Sequence, residues 1–167
     1  QAGVDIRLRA DVRGLVMQAP RCTGVRLREG NADRVLQAGR GVVLATGGFS
    51  HDAELRRRLM PAVADERSAT VDCADGDGLR LATSAGAGVA DGFDDSAFWV
   101  PVSHYITAGG RDVVYPHTVT DRAKPGVIAV DADGRRFVNE AVSYHEFVRA
   151  MLLSRDRSAM RVHLVCD

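Results

Sequence analysis

Apolar and polar positions alternate with period two along the first forty residues, and then the rhythm changes. The alternation Val4-Asp5-Ile6-Arg7-Leu8-Arg9, and later Val25 and Leu27, predicts strands at 5–12, 14–18, 23–28 and 34–37. Pro20 and Glu29-Gly30-Asn31 supply the turns between them. Residues 42–45 form a continuous apolar run, Val-Val-Leu-Ala, the pattern of a strand buried on both faces. That run stops at Thr46-Gly47-Gly48, where Ser50 offers an N-cap for a helix over 51–60. Asp52 and Glu54 complement its dipole at one end, Arg56-Arg57-Arg58 at the other, and Pro61 halts it.

A loop over 61–75 leads to a second helix at 78–85, begun by Gly76 or Asp77 and closed by Gly86-Ala87-Gly88. From 89 to 125 the pattern is irregular, punctuated by Trp99, Pro101, Pro116 and Pro125. Residues 127–130 and 135–138, joined by Asp131-Ala132-Asp133-Gly134, read as a β-hairpin, because Asp-Gly supplies the positive φ of such turns. A third helix at 144–153 places Phe147, Val148, Met151 and Leu152 on one face. Residues 162–166 end the chain as a strand.

Composition narrows the classes of function. The 167 residues suit one domain with a real core, and 46% apolar with 26% charged residues is ordinary for a globular protein. Lys+Arg 22 against Asp+Glu 22 gives zero net charge, which removes the electrostatic reason to expect nucleic acid. No apolar run approaches the ~20 residues of a membrane span. Cys22, Cys73 and Cys166 are odd in number and far apart, which fits a reducing cytosol better than a disulfide framework. A cytoplasmic location follows as the expectation, with membrane association only by way of an apolar substrate. The 21 Arg beside the single Lys124 read as base-composition bias. No Met opens the chain, and strand patterns lie close to both ends, so an internal piece of a longer enzyme is expected.

Candidate chemistry lies in a few places. GVVLATGGF, residues 41–49, delivers two glycines onto a helix start, where bare backbone can approach a ligand; packing alone explains about half of such corners. It is not a G-x-G-x-x-G fingerprint. Asp75-Gly76-Asp77-Gly78 suggests a polar ligand or calcium. Counting twelve from Asp72 reaches Thr83 rather than Glu, so calcium fails and a helix-capping Asp remains. Tyr144 at a helix start is a candidate general base, although most tyrosines are packing groups. The five His show no metal-ligand spacing, so no metal is expected. Phe98 and Trp99 stand in an apolar loop that reads as core or as the wall of an apolar pocket.

In order along the chain, GVVLATGGF with HDAELRRRLMP, then DGDGLRLATSAGA, then PGVIAVDADGRRFVNE resemble the fumarate reductase/succinate dehydrogenase flavoprotein superfamily. NEAVSYHEFVRAM, residues 139–151, is most similar to the 3-ketosteroid Δ1-dehydrogenases within it. The resemblance implies an α+β or α/β fold. Residues 1–80 would be part of a Rossmann-like FAD-binding domain, with a β-meander and a strand–Gly-Gly–helix corner. Residues 81–167 would be part of a substrate-binding cap. It implies FAD as cofactor, with Ala45, Thr46, Gly47 and Gly48 toward the adenosine and pyrophosphate, and Gly76, Asp77 and Gly78 toward the flavin. The Tyr of the matching stretch takes a proton α to a ketone in those enzymes, which places that role on Tyr144. A phenol is a weak acid, so the role asks the surroundings to favour phenolate.

The implied partners are a small apolar carbonyl compound against Phe98 and Trp99, an external electron acceptor, and the rest of a longer chain. Soluble fumarate reductases carry Arg where Tyr144 stands and clamp two carboxylates. Thr120-Asp121-Arg122-Ala123 shows no such clamp, which disfavours a dicarboxylate. The alternatives are a fumarate reductase-like reductase of an unsaturated carboxylate and, for the isolated segment, a non-catalytic folded scaffold that binds no flavin.

Overall fold

The computed structural model describes residues 3–60, 67–90, 92, 93, 95–153 and 161–167. They divide into two compact units, one of Gln1–Asp52 with Asp72–Asp91, the other of Ala53–Val71 with Gly92–Asp167.

The first unit is built on an antiparallel meander, β1 (Ala10–Gln18), β2 (Arg21–Glu29) and β3 (Ala32–Gln37), in that spatial order. Leu15 faces Val25, and Val25 faces Leu36, so one apolar stripe crosses all three strands. The two strands expected at 5–12 and 14–18 are one strand, β1, with register shifts between Val12 and Gly14 and between Val16 and Met17. Such irregularities bend and twist a strand without ending it. Val4, Ile6 and Leu8 precede β1 and are 74–82% exposed. The expected buried strand at 42–45 does not form: these residues join no ladder among the described residues, and Val43 is 89% exposed. A run apolar on both faces needs strands at its edges and layers above and below, and the three-stranded meander pairs only with itself. Helix α2 (Asp77–Ser84) packs against β1.

The second unit contains α1 (Ala53–Leu59), the hairpin β4 (Val102–Ile106) and β5 (Asp112–Pro116), and the short helix α3 (Val119–Arg122). It continues with β6 (Val127–Val130), α4 (Tyr144–Leu153) and β7 (His163–Cys166). Pro61, expected to halt α1, lies outside the described residues. β4, β5 and α3 occupy the stretch that reads as irregular in sequence. The turn after β6 is tight, with Gly134 N–H on Asp131 O (3.0 Å) and Arg135 N–H on Asp131 Oδ1 (2.8 Å). Its second arm is reduced to one bridge, Val130 with Arg136, and β6 instead pairs antiparallel with β7 along its length.

Helix α4 forms where its apolar spacing predicts. Phe147, Val148 and Met151 are buried with Ala129 of β6, and Trp99, Phe137, Val142 and Leu164 pack around them. Phe137 meets Phe147 edge-on, ring centres 5.5 Å apart. Among the described residues no helix is long and apolar enough to cross a membrane.

Beneath this core the Glu140 carboxylate is buried and accepts from the Ala129 N–H (2.8 Å) and from Arg136 Nε (3.0 Å). The Arg136 hydrogen bond, against the opposing effect of burial, lowers the Glu140 acid to about 2 from an ordinary 4.5. Its stabilisation is therefore complete above pH 4.5 and is lost as the pH falls through about 2. With allowance for the exposed Arg136, that is worth about 2 kcal/mol. Glu140→Gln is expected to lower the unfolding free energy by about this amount at pH 7, with the gap closing toward pH 2 in urea titrations.

Candidate functional site

Two sets of candidate residues gather, one in each unit. In the first unit, residues 45–52 lie against residues 74–80. Gly76 N–H donates to Gly48 O (3.0 Å), and His51 N–H donates to Ala74 O (2.9 Å). Gly76 has φ 84°, a left-handed turn that favours glycine, and it starts α2 with no side-chain cap. Gly78 is buried, and a Cβ there would run into Thr46 Oγ1. A Cβ at Gly47 or Gly48 would meet nothing within 4 Å, so backbone is presented bare at these positions. Thr46 is thus brought to Gly78 and Gly48 to Gly76, with Ala45, Gly47 and Asp77 as chain neighbours. The corner is braced by Arg80, which pairs with the buried Asp52 and donates to Asp75 O (2.6 Å). Asp75 Oδ1 accepts from Asp77 N–H (3.3 Å).

The second set is organised around the start of α4. Asn139 turns the chain, its Oδ1 accepting from Ala141 N–H (3.0 Å) and its carbonyl from Val142 N–H (3.2 Å). Ser143 Oγ then accepts from Glu146 N–H (3.2 Å), a side-chain cap. Ser-x-x-Glu, residues 143–146, has the capping-box spacing. Tyr144 is the first residue of the helix and is 42% exposed, whereas Phe147 one turn on is buried.

Arg122 fixes this segment from below. It is fully buried, with Nε on His117 O (3.0 Å), Nη1 on Glu140 O (2.7 Å) and Nη2 on Val142 O (3.2 Å). Its guanidinium lies 4.5 Å from the centre of the Phe147 ring. Burial pulls the guanidinium below its ordinary value, while Asp121 and Glu140 pull the other way. The sequence shows Arg122 only as a residue that fails to clamp a dicarboxylate. Its targets are backbone carbonyls as many as 20 positions away, which no side-chain pattern announces.

The loop bearing Phe98 and Trp99 meets the same helix. His145 Nδ1 accepts from Trp99 N–H (3.2 Å), and Trp99 Nε1 donates to Asp95 Oδ1 (2.6 Å). Trp99 packs on the core, whereas Phe98 is 82% exposed and touches the His145 ring edge-on at 5.4 Å. The candidate wall and Tyr144 are therefore brought together through the residue that follows Tyr144. Neither His145 nor Asp95 stands out in the sequence, since they are fifty positions apart.

A further string joins Ser103 Oγ to His117 Nε2 (2.6 Å) and His117 Nδ1 to Asp121 Oδ2 (2.6 Å). Burial alone would raise the Asp121 acid, but the hydrogen bonds from His117 and from backbone N–H groups outweigh it and lower the acid. The order is that of a nucleophilic triad. Its backbone is spent on structure, however, with His117 N–H on Pro101 O (2.8 Å) and His117 O on Arg122, so the string braces β4, β5 and α3. Among the described residues no three His, Cys, Asp or Glu side chains form a metal site.

Arg122→Met is expected to destabilise the chain by about 3 kcal/mol, because three carbonyls, that of Glu140 buried and the other two partly so, lose a charged donor. Arg122→Lys recovers less than half of that in urea titrations, since one ammonium cannot reproduce the fork.

The family model described as FAD binding domain matches residues 1–167. The 4-oxocyclohex-2-ene-1-carboxylate 5-dehydrogenase of Sinomonas cyclohexanicum is 37% identical over 119 residues, 70% of this chain and 20% of that protein. The 3-oxosteroid 1-dehydrogenase of Mycobacterium tuberculosis strain H37Rv is 30% identical over 152 residues, 87% of this chain and 26% of that protein. Among solved structures, 3-ketosteroid delta1-dehydrogenase from Sterolibacterium denitrificans, in complex with 1,4-androstadiene-3,17-dione, superposes with a TM-score of 0.70. Its identity is 32%, over 89% of this chain and 26% of that one. The chain spans about a quarter or less of the length of these relatives.

Proposed function

Because the chain belongs to the FAD binding domain family of flavoproteins, we propose that it serves an FAD-dependent oxidoreductase that introduces a carbon–carbon double bond beside the carbonyl of a ring ketone. In this reading residues 1–80 are part of a Rossmann-like FAD-binding domain and residues 81–167 part of a substrate-binding cap. The observation that carries the reading is Tyr144, half exposed at the start of α4, with the Phe98 and Trp99 loop bound to the next residue.

The residues that would hold FAD are Ala45, Thr46, Gly47 and Gly48 on the adenosine and pyrophosphate side, and Gly76, Asp77 and Gly78 toward the flavin. They fit such a group: Gly47 and Gly48 leave open space where side chains would stand, and Gly76 begins a helix without a cap. When bound, FAD supplies the acceptor for the hydride that leaves the β-carbon, and an external acceptor takes the electrons onward. Tyr144, as phenolate, takes the proton from the carbon α to the ketone. The exposed Phe98 ring offers an apolar surface for the substrate ring.

The relatives named for 3-oxosteroid and 4-oxocyclohexene-carboxylate substrates have a ketone on a six-membered ring in common. The favoured substrate here is the apolar, 3-ketosteroid-like one, since Phe98 and Trp99 present hydrocarbon and the net charge is zero.

In the flavin-loaded protein, Tyr144→Phe is expected to cut turnover of a 3-oxosteroid by about a thousandfold or more, as loss of a general base does. The ~450 nm absorbance of bound flavin stays unchanged. Normal turnover in that variant removes Tyr144 from the role. Gly76→Ala forces a side chain into a left-handed turn at a cost of about 1–2 kcal/mol, so the purified variant is expected to retain less flavin.

A further inference from the structure

We propose that His145 is a positioning residue that sets substrate selectivity by latching the Phe98 and Trp99 loop to the helix that carries Tyr144. The proposal rests on the reading of Tyr144 as the base, and deepens it. Only a ring nitrogen with a free lone pair accepts a hydrogen bond, so the bond from Trp99 N–H fixes His145 Nδ1 as unprotonated. The proton then sits on Nε2, which faces Asp95 Oδ2 at 3.4 Å. The other Asp95 oxygen accepts from the Trp99 indole, which closes a ring of three residues. Arg149, one turn further along α4, places Nη1 3.6 Å from Asp95 Oδ2 and holds the carboxylate from that side.

Trp99 is thus tied at both ends, by its backbone to His145 and by its indole to Asp95. A structural role for the indole is plain, since it packs on the Phe147 core. It does not explain Phe98. A phenyl ring 82% exposed and in T-shaped contact with His145 leaves most of its surface open for an apolar ring to pack on. Tyr144 and His145 are consecutive on one helical turn, so moving the latch moves the wall relative to the base. The ligand class that follows is an alicyclic ketone with enough hydrocarbon to cover Phe98. A small carboxylate-bearing ring gains less from that surface.

The test uses the flavin-loaded protein. His145→Phe keeps an aromatic ring and removes the acceptor. His145→Asn returns an acceptor oxygen near the Nδ1 position. His145→Phe is expected to speed hydrogen–deuterium exchange of the Trp99 amide at least about tenfold, and His145→Asn to restore its protection. In parallel, His145→Phe raises KM for a 3-oxosteroid about tenfold, with a smaller change in kcat and little change for 4-oxocyclohexanecarboxylate. Phe98→Ala, at an exposed position that does not threaten folding, raises the steroid KM similarly without altering Trp99 exchange. Unchanged exchange in His145→Phe overturns the latch, and faster exchange with an unaltered ratio of the two KM values overturns its role in selectivity. Retained turnover in Tyr144→Phe instead counts against the base assignment alone, and the exchange measurement decides the latch even if neither ketone is turned over.

Discussion

The buried guanidinium of Arg122 is the contact on which the geometry of the second unit depends. Its three donors reach three main-chain carbonyls, one of His117 and two, of Glu140 and Val142, in the loop over 139–143. Taking a charge out of water costs several kcal/mol, and hydrogen bonds to a charged donor return about 1.5–3 kcal/mol each. The two nearly cancel, so Arg122 adds little net stability while it specifies one arrangement of the loop over 139–143. Glu140 holds the same loop by a different route. Its carbonyl serves Arg122 while its carboxylate serves Arg136 and the Ala129 N–H. A loop held through both its backbone and its side chain leaves little freedom for the residue that follows, and Tyr144 inherits that fixed starting point.

How much of this is legible in the sequence differs from element to element. Helix α4 is readable because Phe147, Val148 and Met151 recur at helical spacing, while the Ser143 cap on the Glu146 N–H emerges only with the structure. β6 and its Asp-Gly turn are readable for the same local reason. The partner of β6 is not, since β7 lies some 35 residues on and antiparallel pairing is decided by tertiary context. β4 and β5 escape notice because Tyr105, Ile106 and Tyr115 remain exposed, and a strand without a buried face leaves no clear alternation. The run at 42–45 misleads for the opposite reason: its apolar pattern records burial on two faces that the described residues do not supply. In the site, the glycines of 47, 48, 76 and 78 announce themselves as residue types, and Tyr144 by its motif. Asp95, Arg122 and His145 do not, because each acts through bonds to distant backbone or to another loop.

The two candidate sets also differ in how they recognise. At 45–48 and 76–78 recognition is by the absence of side chains, with the left-handed φ at Gly47 and Gly76 and the Thr46 hydroxyl against Gly78 setting the shape. Any larger residue at Gly76 or Gly78 either strains the backbone or displaces a neighbour, so this corner admits few sequences. At 95–99 and 144–149 recognition is by side chains: a phenyl face, an indole, an imidazole and a carboxylate. Of these the indole packs on the Phe147 core, whereas the Phe98 ring is exposed. Proteins named for a 3-oxosteroid and for an oxocyclohexene-carboxylate are each similar to more than two thirds of this chain. His145 is the side chain that joins the Phe98 and Trp99 loop to the start of α4, through the Trp99 N–H.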